Sequence, residues 1–252
     1  QKQIIEKQKN VVELQKQEVE EQKLVVDDKN KEIIDSITYA KRLQDSILPQ
    51  SSTIKKLFPH CFILYRPKDI VSGDFYWVKE SNGKHLISAI DCTGHGVPGA
   101  FMSLIGANGL NDAVDKHNLD EPGAILNKLN RSAYHAMNKG DVNVDVRDGM
   151  DLSLCAIDFN SLKLYFSGAG NPIYLLRDNE LKVIKGDRFA IGSFKPGEKS
   201  YNTHELDLSK GDIIYLFSDG YPDQFGGLKG KKFMYKQFRE KLIEFSSLSM
   251  DQ

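Results

Sequence analysis

Residues 1–48 contain neither glycine nor proline, and an apolar residue returns at every seventh position: Ile5, Val12, Val19, Val26, Ile33, Ala40 and Ile47. A strict period of seven over that length predicts one long helix with a coiled-coil seam. The positions three residues further on are Gln8, Gln15, Gln22, Lys29, Ser36 and Leu43. Half of the seam is therefore largely polar, and an isolated pair of such helices should be only marginally stable. One reading is a parallel helix that makes a homodimer through residues 5–47 and carries a signal from an upstream sensor module. The other is a solvated helical linker, or a helix that docks on its own domain. Pro49 is expected to end the helix, because proline cannot continue it and disfavours helical geometry in the residue before it.

Beyond Pro49 the texture changes, and the expected division is a helical linker over 1–49 and a folded domain over 50–252. Residues 61–65 and 75–78 read as strands. Ser81-Asn82-Gly83-Lys84 is a hairpin turn, and 86–90 returns as a strand. Residues 98–113 and 122–137 read as helices, the second with Ile125, Leu129 and Ala133 at helical spacing. A polar run over 139–148 reads as a loop. Short strands then follow at 152–158, 162–167, 173–177, 181–184, 201–206 and 213–217, and a helix at 231–245. Strands clustered in meanders, with helices inserted between the blocks, predict an α+β fold.

Three aspartates stand in matching settings. Asp91 follows the apolar run Leu86-Ile87-Ser88-Ala89-Ile90 and opens the turn Cys92-Thr93-Gly94-His95-Gly96. Asp74 lies between Ser72-Gly73 and Phe75-Tyr76, and Asp219 closes Leu216-Phe217-Ser218 before Gly220. Each acid alone reads equally well as a cap or an ordinary turn residue. Together they place carboxylates at the ends of apolar strands beside bare backbone, where a buried carboxylate needs a partner or a cation. Oxygen-only donors favour magnesium or manganese over zinc. Two such ions sharing a carboxylate would acidify a water for in-line attack on a phosphoester.

The neighbours of these acids leave alternatives open. His95 could protonate a leaving group or hydrogen-bond its own turn. Arg66 and Lys68 could hold a phosphate or be ordinary exposed cations. Asp148 and Asp151 could join the site or cap a loop, the loop being the expectation. The run Gly226-Gly227-Leu228-Lys229-Gly230-Lys231-Lys232 lacks the spacing of a phosphate-binding loop and the Ser or Thr after its lysine, so a nucleotide-binding regulator finds no support.

Composition excludes several classes. The net charge is −1, which argues against nucleic acid or an anionic membrane as a bulk partner. No apolar stretch is long enough for a transmembrane helix. Three widely spaced cysteines, Cys61, Cys92 and Cys155, form no C-x-x-C pair, so neither zinc nor a disulfide framework is indicated. A reducing, cytoplasmic setting fits, which leaves room for a membrane-anchored parent protein. An opening without Met and a polar close suggest a piece of something longer.

The order Ser72-Gly73-Asp74-Phe75-Tyr76, Asp91-Cys92-Thr93-Gly94-His95-Gly96, Ala190-Ile191-Gly192 and Gly211-Asp212 through Ser218-Asp219-Gly220 resembles the metal-dependent PPM-type protein phosphatases. Within them it is most similar to the bacterial SpoIIE and RsbU-like serine phosphatases, and residues 40–49 look like that branch's helical entry into the catalytic domain. The resemblance implies a sandwich of two antiparallel sheets flanked by helices, with a dinuclear manganese or magnesium site between the sheets. It implies that Asp91 bridges the ions, that the Cys92 carbonyl is a further ligand, and that Asp74 and Asp219 complete the site directly or through water. The implied substrate is a phosphoserine or phosphothreonine protein, typically an anti-anti-sigma-type regulator. Family members end with a further helix and a strand carrying an Asp-Asp pair, the source of a last ligand. Ser249-Met250-Asp251-Gln252 does not match it. The domain thus reads as C-terminally incomplete, with weak binding of one ion and poor or no turnover expected. The competing reading is a catalytically weak signalling module that acts by binding and dimerisation.

Overall fold

Seven antiparallel pairings build the protein's sheets, and every strand lies next to a partner running the other way. The computed structural model describes residues 1–138, 148–227 and 230–250, and of Ile5 only the backbone. Most of the polar run 139–148, Leu228 and Lys229 of the glycine-rich run, and Asp251 lie outside the described residues.

The first sheet has the order β1-β2-β3-β4-β7: β1 (Phe75–Ser81), β2 (Lys84–Cys92), β3 (Met150–Asp158), β4 (Lys163–Ala169) and β7 (His204–Asp207). The second has the order β6-β5-β8: β5 (Ile173–Arg177), β6 (Glu180–Ile184) and β8 (Ile213–Tyr215). A two-residue ladder joins β9 (Phe225–Gly226) to β10 (Lys231–Lys232). The β1–β2 turn has the two consecutive positive φ values of a type I′ hairpin, 50° at Asn82 and 77° at Gly83, as the Asn-Gly pair predicts.

Alternation along the strands sorts their side chains into two cores. Leu86, Ile90, Leu152 and Leu154 face α3 (Gly96–Asn111) and α4 (Pro122–Met137), where they meet Leu110, Ile125 and Leu129. Cys155, Ile157, Leu164 and Phe166 face the other way and pack on Ile173 and Leu175 of the second sheet. The outer face of that sheet is covered by α5 (Met234–Phe245), whose Phe238 lies among Tyr174, Phe217 and Tyr221. The layers are thus helices, sheet, sheet, helix: the antiparallel sandwich expected.

α1 (Lys2–Asp45) is a helix of 44 residues. Val12, Val19, Val26 and Ile33 of its seam are each more than half exposed. Only its last turns dock, through Ile37, Ala40, Lys41 and Gln44 at helical spacing, with Ile47 and Leu48 following onto the α3–α4 core. Pro49 does not itself terminate the helix. The chain leaves it through a turn at 46–48, and after Pro49 a short α2 (Ser51–Leu57), unforeseen in the sequence, tucks Ile54 and Leu57 into the inter-sheet core.

Three other expectations need correction. Residues 61–65 form no strand: Cys61, Ile63 and Tyr65 are half-buried and Phe62 and Leu64 exposed, so the alternation is present, but no neighbouring strand takes up their backbone groups in a ladder. The helix foreseen over 231–245 begins at Met234, because Lys231 and Lys232 pair with β9. Helix α3 runs into a five-residue π-helical stretch, Asp112–Lys116, rather than ending near Ala113.

Candidate metal centre

Three backbone segments cross where the first two acids meet, and glycines make the crossing possible. A Cβ on Gly73 would lie 2.5 Å from the Gly94 carbonyl oxygen and 2.9 Å from that of Cys92. A Cβ on Gly99 would lie 2.6 Å from the same Gly94 oxygen. The loop before β1, the turn after β2 and the start of α3 therefore touch through main chain alone. Asp74 and Asp91 extend from this crossing, and the Cys92 carbonyl faces the loop that carries Asp74.

The acids converge as their strand-end positions required. Phe75 pairs with Ile90 across β1 and β2, so Asp74 and Asp91 lie side by side at the end of that ladder, and both feel the charge of Asp219. The Ser218 hydroxyl donates to Asp74 Oδ2 at 2.6 Å, and the Tyr65 hydroxyl donates to the Asp74 carbonyl at 3.1 Å. Burial, and then the charges of Asp74 and Asp219, push the Asp91 carboxyl up to about 8. Burial also raises Asp74, against the lowering effect of the Ser218 hydrogen bond. Two carboxyls pushed up side by side bind protons as a pair.

Electrostatics and donor chemistry fit a hard divalent cation: two half-buried carboxylates, a third acid at their rim, a main-chain carbonyl and no nearby cationic side chain among their hydrogen-bond partners. Among the described residues no three His, Cys, Asp or Glu side chains stand ready to grip an ion as they are. Neither of two surface cavities, about 400 Å³ beside Arg177 and Glu205 and about 530 Å³ between α3 and α4, touches these acids.

The remaining candidates fall out as follows. His95 is largely exposed, and its Nδ1 pairs with Asp69 Oδ2 at 2.9 Å rather than with its own turn. Because a carboxylate only accepts, Nδ1 carries the proton and Nε2 is left outward. Arg66 and Lys68 lie on the exposed approach to Asp74 and make no ion pair among the described residues. The Cys92 side chain is buried, and burial raises its thiol well above the usual range, so only its carbonyl is suited to ligation. Asp148 is half-buried just before β3. Asp151 sits on β3 directly across from Asp91, not on a loop.

Sequence reading missed Asp69 and, further from the acids, a buried glutamine. Gln44, in the last turn of α1, is 1% exposed. Its Nε2 donates to the Ser72 carbonyl at 2.5 Å and to Ser103 Oγ at 2.9 Å, and its Oε1 accepts from the Ser72 N–H at 3.0 Å. One side-chain amide thereby binds the linker helix to the loop that carries Asp74 and to α3. A glutamine in a Gln-rich helix gives no signal of burial; only its place on the same stripe as Ile37 and Ala40 could have marked it.

A two-sheet sandwich with helices outside and aspartates between the sheets defines a class, the PPM-type phosphatase domains. The family model for Stage II sporulation protein E matches residues 81–251, and the chain belongs to that SpoIIE family. It is similar over 88% of its length to the SiaA-PP2C domain of Pseudomonas aeruginosa, with 33% identity, a TM-score of 0.78 and 86% of that chain covered. The phosphoserine phosphatase RsbU of Bacillus subtilis strain 168 is 25% identical over 158 residues, 61% of this chain and 44% of RsbU. The chain therefore spans less than half the length of that relative. The structure of the RsbU and RsbW domains of Rv1364c from Mycobacterium tuberculosis shares the fold, with a TM-score of 0.56 and 18% identity over 71% of this chain and 47% of that one.

Proposed function

We propose that this chain is a metal-dependent serine/threonine protein phosphatase that hydrolyses phosphoserine or phosphothreonine on a regulatory protein, of the anti-anti-sigma type, in the cytoplasm. The observation that carries the reading is the placement of Asp74 and Asp91 side by side at the end of the sandwich, with Ser218 of the Asp219 turn donating to Asp74. The similarity to a phosphoserine phosphatase supports the substrate class.

Asp74, Asp91, Asp219 and the Cys92 carbonyl would hold Mn²⁺ or Mg²⁺, which when bound supplies the positive charge that acidifies water and polarises a phosphoryl oxygen. The chain's own residues do the rest. Ser218 fixes the rotamer of Asp74, and the glycine crossing fixes the spacing of the two acid loops. Asp69 holds His95 so that its imidazolium form, protonated on both ring nitrogens, can give the Nε2 proton to the departing serine or threonine oxygen. Arg66 and Lys68 flank the approach of an anionic substrate.

The helix α1 gates this site as part of a parallel homodimer that receives the input of an upstream sensor. Two observations support that. An isolated helix with a fully exposed apolar stripe is marginal in water unless something covers it, and a second copy presents the same stripe in the same register. At its other end, Gln44 ties α1 to the Asp74 loop.

Release of phosphate from a phosphoserine peptide, with Mn²⁺ present, tests the proposal. Asp91→Asn is expected to lower turnover at least 100-fold without unfolding the protein. Unchanged turnover in that variant would show that the acids are not the reaction centre. Absence of any turnover in the parent chain, with phosphoprotein binding intact, would favour the competing reading of a binding module.

A further inference from the structure

The register of β2 and β3 brings a fourth acid to the site. Asp151 is the cross-strand partner of Asp91. Directly opposed residues of an antiparallel pair project to the same face, with Cβ atoms about 4.5–5.5 Å apart. That face is the inter-sheet one, because Cys155 and Ile157, at the same parity on β3, belong to the core between the sheets. Asp151 and Asp91 thus enter the same end of the sandwich from adjacent strands.

The surroundings of Asp151 do not explain its charge. Asp158, Asp187 and Asp212 each accept hydrogen bonds from backbone or side-chain donors. The Asp151 carboxylate is half-buried and has no hydrogen bond or ion pair among the described residues. Asp151 lies within reach of the charge of Asp219, and among the described residues no lysine or arginine pairs with it. Two residues further along the same face, Ser153 is fully buried and its Oγ has no hydrogen-bond partner. Space has also been kept for the carboxylate. Gly170 has φ +72°, and a Cβ there would lie 2.3 Å from Asp151 Oδ1 and 2.7 Å from Oδ2. Any other residue at 170 would drive the acid out of its place.

We propose that Asp151 is a further ligand of the divalent-cation centre, supplying from the middle of the chain a fourth carboxylate beside Asp74, Asp91 and Asp219. This rests on the reading of those three acids as a metal site. Four carboxylates carry a formal charge of −4, which two divalent cations balance; three leave an excess positive charge in a half-buried pocket. The ligand class is a hard divalent cation, Mn²⁺ or Mg²⁺.

Metal binding tests this apart from catalysis. The full chain, stripped with chelator, is titrated with MnCl₂ and bound Mn²⁺ is followed by calorimetry and by loss of the free-ion EPR signal. Asp151→Asn is expected to weaken the more weakly held Mn²⁺ at least fivefold, and the metal-free variant should melt no lower than the parent, since a charge near Asp219 is gone. A smaller change in affinity overturns the role of Asp151, provided Asp91→Asn abolishes binding in the same assay. If Asp91→Asn also leaves Mn²⁺ binding intact, the metal-site reading itself falls. Asp151→Glu, which keeps the charge but not the fit beside Gly170, is expected to recover part of the affinity; equal loss in both variants, with a lowered melting point, would overturn the proposal in favour of a packing role.

Discussion

Replacing Gln44 should loosen the metal site from a distance. In Gln44→Ala the N–H and C=O of Ser72 both lose their partner, while Ser103 keeps its hydrogen bond to the Ala100 carbonyl. Ser72 is 8% exposed, so these are buried backbone groups. Each unsatisfied group costs about 1–3 kcal/mol, and water entering the vacated space recovers part of it. The net loss is roughly 2–4 kcal/mol from the docking of α1 and the order of the Asp74 loop. If a third of that falls on the loop, Mn²⁺ affinity drops about three- to ninefold, since 1.4 kcal/mol is one decade. Gln44→Glu offers a shape-conserving version: the carboxylate cannot donate to the Ser72 carbonyl and meets it with like partial charge. Titration calorimetry with MnCl₂ reads the affinity, circular dichroism reads the fold, and Gln22→Ala, on the exposed stretch of α1, is the control. Affinities within twofold of the parent in both Gln44 variants would refute the claim that this amide couples the helix to the acids.

Two more outcomes are expected. Without metal, Asp91 makes stability depend on pH: its carboxyl is raised to about 8 in the fold from an ordinary value near 3.8. The stabilisation is full below the unfolded value and is lost as pH rises through the folded one, so the parent should weaken relative to Asp91→Asn between about pH 4 and pH 8. Discounted for partial exposure and the paired titration, the difference is about 2 kcal/mol. Urea unfolding in chelator at both ends of that window measures it, and a constant gap would contradict the raised Asp91 carboxyl. For the helix, light scattering should give twice the 28.4 kDa chain mass, and removal of residues 1–36 should halve the count of chains. A monomer at high concentration would count against the seam.

Much of this was readable before any coordinates. Apolar runs that end on Asp91 and Asp219, and the Ser72-Gly73 turn before Asp74, announce strand ends where a carboxylate meets bare backbone, and such ends gather at one edge of a sandwich. Asp151 was not readable in the same way. Beside Gly149 it looks like a loop residue, and its role depends on which residue of β2 lies across from it, a fact of pairing rather than of local pattern. Asp69 and Gln44 were hidden for a related reason: their partners lie 26 and 28 residues away, and neither position differs in composition from its exposed neighbours. The false strand at 61–65 errs in the opposite direction. Alternating burial requires only one packed surface, whereas a strand also needs a ladder partner.

The undocked length of α1 has a mechanical consequence. At 1.5 Å per residue, its first 36 residues reach about 54 Å from the point of attachment, several times the range over which a charge is felt in physiological salt, about 8 Å. An event at the tip therefore has no electrostatic route to the aspartates. It can be transmitted only as motion of a stiff rod, twist or axial slip, and the buried amide near the rod's base is the joint where that motion would meet the catalytic loop.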